Sequence, residues 1–109
     1  MGMTPAELAP PSSVGVPVRD GAHAPRLQAL VQLMALEAGL APQTASSLAA
    51  DSGRLVSELL RVAPGGALFM LNPLRRGGRV GLEVTAEYGP SPYAPAGGRV
   101  TATAWEGVG

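Results

Sequence analysis

The sequence predicts an α+β fold: two helices packed on one face of a mixed sheet of about four strands. Apolar residues recur at helical spacing between Pro25 and Gly39, and again between Leu40 and Ala63. Before and after these segments, short runs rich in Val, Leu and Thr read as strands. Proline and glycine cluster between the periodic segments, where they mark ends and turns.

Taken in order, residues 1–13, "MGMTPAELAPPSS", hold three prolines and little that can pack, so a flexible tail is expected ahead of a single domain over 14–109. "VGVPVRD" places Val14, Val16 and Val18 at period two, and Pro17 pushes this strand to a sheet edge. Leu27, Leu30, Val31, Met34 and Ala38 then form one helical face, with Pro25 suited to the first turn and Gly39 to the stop. A second helix carries Ala45, Leu48, Ala49, Ser52, Leu55, Val56 and Leu59 on one face and ends at Pro64 and the Gly65-Gly66 pair. Gly53 inside that helix suggests a close contact.

"GALFMLNP", residues 66–73, is too short and too apolar for another helix and reads as a strand buried on both faces. "RRGG" is a turn. "RVGLEVTAEYG" alternates Val80, Leu82, Val84 and Ala86 against Gly81, Glu83, Thr85 and Glu87, as a half-buried antiparallel strand does. "RVTATAW", 99–105, closes the chain as a last strand. The expected core is Leu30, Val31, Met34, Leu48, Leu55, Val56, Leu59, Phe69, Leu71, Leu82 and Val84.

A chain of 109 residues suits one modest core. Eight basic against eight acidic side chains provide no long-range field for nucleic acid or anionic lipid, so neither is an expected partner. Without cysteine there is no disulfide, no thiolate nucleophile and no cysteine-bearing zinc site, which is compatible with a cytoplasmic location. No stretch approaches the ~20 apolar residues of a membrane span.

"SELLRVAPGGALFML" followed by "RVGLEVTAEYGP" and closed by "GGRVTATAWEG" resembles the small anti-sigma factors and switch serine kinases of the GHKL superfamily of histidine-kinase-like ATPases. The resemblance spans most of the chain after residue 14 and implies a reduced form of that family's Bergerat-type fold. In the family the second helix carries a catalytic-base Glu and, four residues on, an Asn that holds Mg²⁺ on the ATP phosphates. Glu58 matches the Glu, but Val62 stands at the Asn position, and valine offers no oxygen to a hard cation. The family's adenine-reading Asp falls near Glu87 or Tyr88, and Ser91 and Pro92 occupy the region of a following glycine. Where relatives have a lid, a glycine-rich phosphate loop and a third helix, this chain has only "SPYAPAGG".

Glu58 therefore reads as a relic of a catalytic carboxylate on a solvated helix face, with no cofactor and no metal expected, and no enzymatic activity. His23, the sole histidine, has no partner at metal-ligand spacing and suits a turn or cap. The resemblance implies a non-catalytic regulatory module, a pseudokinase-like binder of a sigma-factor pathway protein, or one that self-associates. Two alternatives are a weak ATP-binding serine kinase or anti-sigma factor with an altered site on Glu58 and Glu87, and a structural accessory subunit of a larger assembly. The expected interface surrounds the shortened segment 88–98 and the hairpin beside it. Tyr88, Tyr93 and Trp105 would be its anchors, and Arg75 and Arg76 its polar rim.

Overall fold

The computed structural model describes residues 13–92 and 94–107. Strand β1, Val14–Val18, leads through a 3-10 turn at Gly21–His23 into helices α1, Ala24–Ala38, and α2, Pro42–Val62. Strands β2, Ala67–Arg76, β3, Arg79–Tyr88, and β4, Gly98–Gly107, follow. The strands lie side by side in chain order, β1-β2-β3-β4, with every neighbouring pair antiparallel.

The fold is the expected α+β arrangement, but the sheet is antiparallel rather than mixed. One crossover helix would deliver β2 parallel to β1; two consecutive helices form an out-and-back hairpin that returns the chain to where it left. Val18, the end of β1, is thus opposite Ala67, the start of β2. Of the proposed tail, residues 1–12 lie outside the described residues, while the Ser13 hydroxyl donates to the side-chain oxygen of Asn72 on β2.

Both helices cover the same face of the sheet. Leu27, Val31 and Ala35 of α1, and Ala45, Leu48, Val56 and Leu59 of α2, pack on Val18, Phe69, Leu71, Leu82, Val84 and Ala86. Of the expected core, Leu30, Met34 and Leu55 are only half-buried and flank this cluster. Helix α1 is apolar nearly all round, so periodicity alone leaves its rotation loose; Leu27 takes the central position.

Gly39, at φ 105°, ends α1 in a Schellman motif: its N–H donates to the Leu36 carbonyl at 3.1 Å and that of Leu40 to Ala35 at 3.0 Å. Buried Leu40 provides the accompanying apolar contact. Gly53 does mark a close approach: a Cβ there would run into the Gln28 side chain of α1.

The other face of the sheet has no layer over it among the described residues. Strand β2 is therefore not buried on both sides as its composition suggested. Phe69 and Leu71 point to the helices, whereas Leu68, on the opposite face, is 44% exposed. β2 also extends beyond the expected "GALFMLNP" to Arg76, leaving Gly77-Gly78 as the hairpin turn. Pro73 is tolerated because β1 pairs only as far as Leu71, so among the described residues no neighbour on that side awaits its missing N–H.

Candidate functional site

Glu58 lies on the last turns of α2 with its side chain in solvent. Among the described residues, no hydrogen bond or ion pair reaches its carboxylate. One turn later Val62 is half-buried and packs against the core. Its carbonyl, one of those left over at the helix end, accepts a hydrogen bond from Ser91 Oγ at 2.5 Å. The Ser91 oxygen also accepts from the Ala94 N–H at 3.1 Å, within a tight turn that pairs Ser91 with Ala94. The connection between β3 and β4 is thus tied to the end of α2. An acid–base pair needs two groups in reach of one proton; here the structure offers one exposed carboxylate beside a valine. Among the described residues, no group of three metal-capable side chains is gathered. His23 Nδ1 accepts the Arg19 N–H at 3.0 Å, so the histidine ties the turn after β1 to α1, as its position suggested.

The proposed anchors do not converge. Tyr88 points to the helix side and packs against the core, its hydroxyl over Gly98. Trp105 is on the opposite side of the sheet, directly across from Gly81. Seven residues of β3 separate Gly81 from Tyr88, about 23 Å at ~3.3 Å per residue. Tyr93 lies outside the described residues. Arg75 and Arg76 are both exposed but point to opposite faces: Arg75 pairs with Val80 on the helix side, and Arg76 with Arg79 on the open side.

What the structure does gather is a patch on the open face around Trp105. The indole covers Gly81, where any Cβ would fall 2.6 Å from the Ala104 carbonyl and about 3.0 Å from the ring. The Arg79 guanidinium stacks over the ring, 5.2 Å from its centroid, a cation–π contact. The same face displays Leu68, Met70 and Leu74 of β2, with Arg76 beside Arg79 at the hairpin end. Toward the other end it becomes polar. Thr85 and Thr101 hydroxyls lie 3.3 Å apart, Asn72 Nδ2 donates to Glu83 at 3.3 Å, and Arg99 is paired with Glu87. Leu68, Met70 and Leu74 were missed because β2 was read as buried on both faces. Arg79, with Arg75 and Arg76 one of three arginines around the Gly-Gly turn, stands two residues before the glycine that Trp105 covers.

Glu106 is a further functional side chain that sequence periodicity does not reveal. Helix α2 begins at Ala41-Pro42 with no side-chain cap and no acid in its first turn. From β4, Glu106 supplies both: its Oε1 accepts the Ala41 N–H at 3.0 Å. That bond, then one from the Thr44 side chain, hold its carboxyl below the ordinary value of 4.5. The ionised form is thus favoured by folding. Its stabilisation is fully present above the unfolded-state value and is lost as pH falls through the lower folded-state value. Melting temperature should therefore drop between about pH 5 and about pH 3, with a smaller drop in Glu106→Gln. Identical acid profiles for the two proteins would contradict the capping role.

No helix among the described residues is long and apolar enough to cross a membrane. No family model, curated protein or solved structure matches the chain.

Proposed function

We propose that this chain is a non-catalytic protein-interaction module, a reduced relative of the GHKL anti-sigma factors and switch kinases, that works in bacterial regulation by docking a protein partner. The single observation that carries the docking is the patch on the open sheet face. An aromatic side chain backed by an arginine, in one row across the sheet with Gly81 and Leu74, combines the residue types that concentrate binding energy. The complementary partner presents an apolar side chain to Trp105 and Leu74, and carboxylates to Arg76 and Arg79.

The kinship rests on the runs "SELLRVAPGG" and "VGLEVTAEYGP" and on the order strand, helix, helix, strand, strand, strand, which the resemblance implies for the family. Against nucleotide chemistry stand Val62 at the metal-ligand position and the short turn whose Ser91 is bonded to its carbonyl. The same kinship would place the protein in the cytoplasm, with a sigma-factor pathway component as partner.

Two titrations test the reading on the intact chain. Calorimetry with Mg-ATP should give no saturable heat at millimolar nucleotide, for the wild type and for Val62→Asn alike, since one restored ligand does not rebuild a phosphate cradle. Trp105, the only tryptophan, should change its fluorescence when the partner binds. Sub-millimolar, Mg²⁺-dependent ATP binding would restore Glu58 to a catalytic role and overturn the proposal.

A further inference from the structure

Helix α1 carries only four charged or amide side chains, Arg26, Gln28, Gln32 and Glu37, and two of these are turned toward α2. Gln28 lies against Gly53, and Gln32 Nε2 donates to Ser46 Oγ at 3.3 Å. The helix therefore spends its amides on the seam with its neighbour and leaves leucines in water. Leu33 is 53% and Leu36 42% exposed, two of the three large apolar side chains exposed among the described residues. A single exposed leucine is ordinary. Leu33, however, borders a groove of about 370 Å³ lined also by Val14, Leu30, Met34, Ala38 and Pro73, with Glu37 at its edge, so its apolar surface continues beyond the helix.

The spacing on this face identifies the occupant. Arg26, Leu30, Leu33 and Glu37 stand at i, i+4, i+7 and i+11, forming one stripe along the helix. The pairs Arg26/Glu37 and Leu30/Leu33 share the same midpoint, between residues 31 and 32. An isologous contact requires that when residue i meets j, j also meets i. A stripe with opposite charges at its two ends and leucines equidistant from its centre meets that requirement with a second copy of itself. Among the described residues neither Arg26 nor Glu37 has an ion-pair partner.

We infer that a second copy of this chain docks on the outer face of α1, the two α1 helices lying antiparallel about a two-fold axis at the level of residues 31 and 32. Arg26 of each copy then meets Glu37 of the other, and Leu33 of each meets Leu30 and enters the groove beside Val14 and Pro73. A parallel pairing would set Arg26 on Arg26 and Glu37 on Glu37, so the charges select the antiparallel one. This surface is separate from the sheet face around Trp105, so either proposal can fail without the other.

Sedimentation velocity of the full chain over a concentration series, at low ionic strength, tests this. The wild type should show a reversible monomer–dimer equilibrium. Leu33→Glu should weaken it by about a hundredfold with unchanged far-ultraviolet circular dichroism, since the side chain it replaces is exposed. Arg26→Glu and Glu37→Arg should each weaken it about tenfold. An equimolar mixture of those two variants should recover the dimer, because both junctions then join opposite charges. A wild type that is monomeric at every concentration, a Leu33→Glu dimer as tight as the wild type, or a mixture no tighter than its components would each overturn the inference.

Discussion

Phe69→Ala is expected to lower the free energy of unfolding by about 3–5 kcal/mol, through lost burial and the cavity left behind. Phe69 is fully buried and heads the largest enclosed side chains of the core. It sits on a central strand, opposite Val16 on β1 and Ala86 on β3, and under both helices. No flanking side chain can collapse into its place without uncoupling the sheet from the helix layer. A domain of this size has about 5–15 kcal/mol in hand, so the variant should be marginal at room temperature. Leu55→Ala, at a half-buried position beside the core, should cost clearly less. Urea denaturation distinguishes them: a Phe69→Ala midpoint no lower than that of Leu55→Ala would mean that the helices do not close on the sheet as described.

The second large effect belongs to Gly66. The Pro-Gly-Gly stop in the sequence signals a turn, but the two glycines are not equivalent. Gly65 has open space where a side chain would go. Gly66 has φ +101°, and a Cβ on it would sit 2.5 Å from the Val18 carbonyl oxygen. Gly66→Ala therefore combines left-handed backbone strain, about 1–3 kcal/mol, with displacement of the end of β1. Gly65→Ala should be close to neutral. Native-state hydrogen exchange adds a spatial check: Gly66→Ala should speed exchange selectively along Val14–Val18, the short edge strand that the clash pushes outward.

These examples show which parts of the fold were legible. Local patterns carried well: period two in Val14–Val18 and in β3, one apolar face in α2, and glycine stops at Gly39 and Gly65-Gly66. Each has its cause within a few residues of chain. Where the cause was distant, the sequence was silent. Nothing near Ala41 announces that Glu106, sixty-five positions away, caps α2. Apolar β2 looked buried on both faces because Leu68 and Met70 are as hydrophobic as Phe69 and Leu71; what separates them is that the described residues form a layer on one face only.

The same ambiguity explains α1. With leucines around most of its circumference, its periodicity could not tell the side that meets the sheet from the side that carries Leu33 and Leu36. The candidate site was legible in composition and not in geometry. Few aromatics and a glycine hairpin flanked by arginines were visible, but the sorting of Trp105, Arg76 and Arg79 onto one face, and of Tyr88 and Arg75 onto the other, depends on register. A one-residue shift would have reversed it.

The central claim is that the face around Trp105 docks a protein partner, and quantitative affinity capture tests it most directly. Wild type, Trp105→Ala, Arg79→Ala and Tyr88→Phe would be immobilised at equal density, and the retained protein then titrated in purified form. A buried anchor of this type contributes about 2 kcal/mol or more, so Trp105→Ala should raise Kd by about thirtyfold. Arg79→Ala should weaken binding in a salt-dependent way, and Tyr88→Phe, on the other face, should leave it unchanged. A partner that binds Trp105→Ala as tightly as the wild type, or that is lost through Tyr88 instead, would contradict the account.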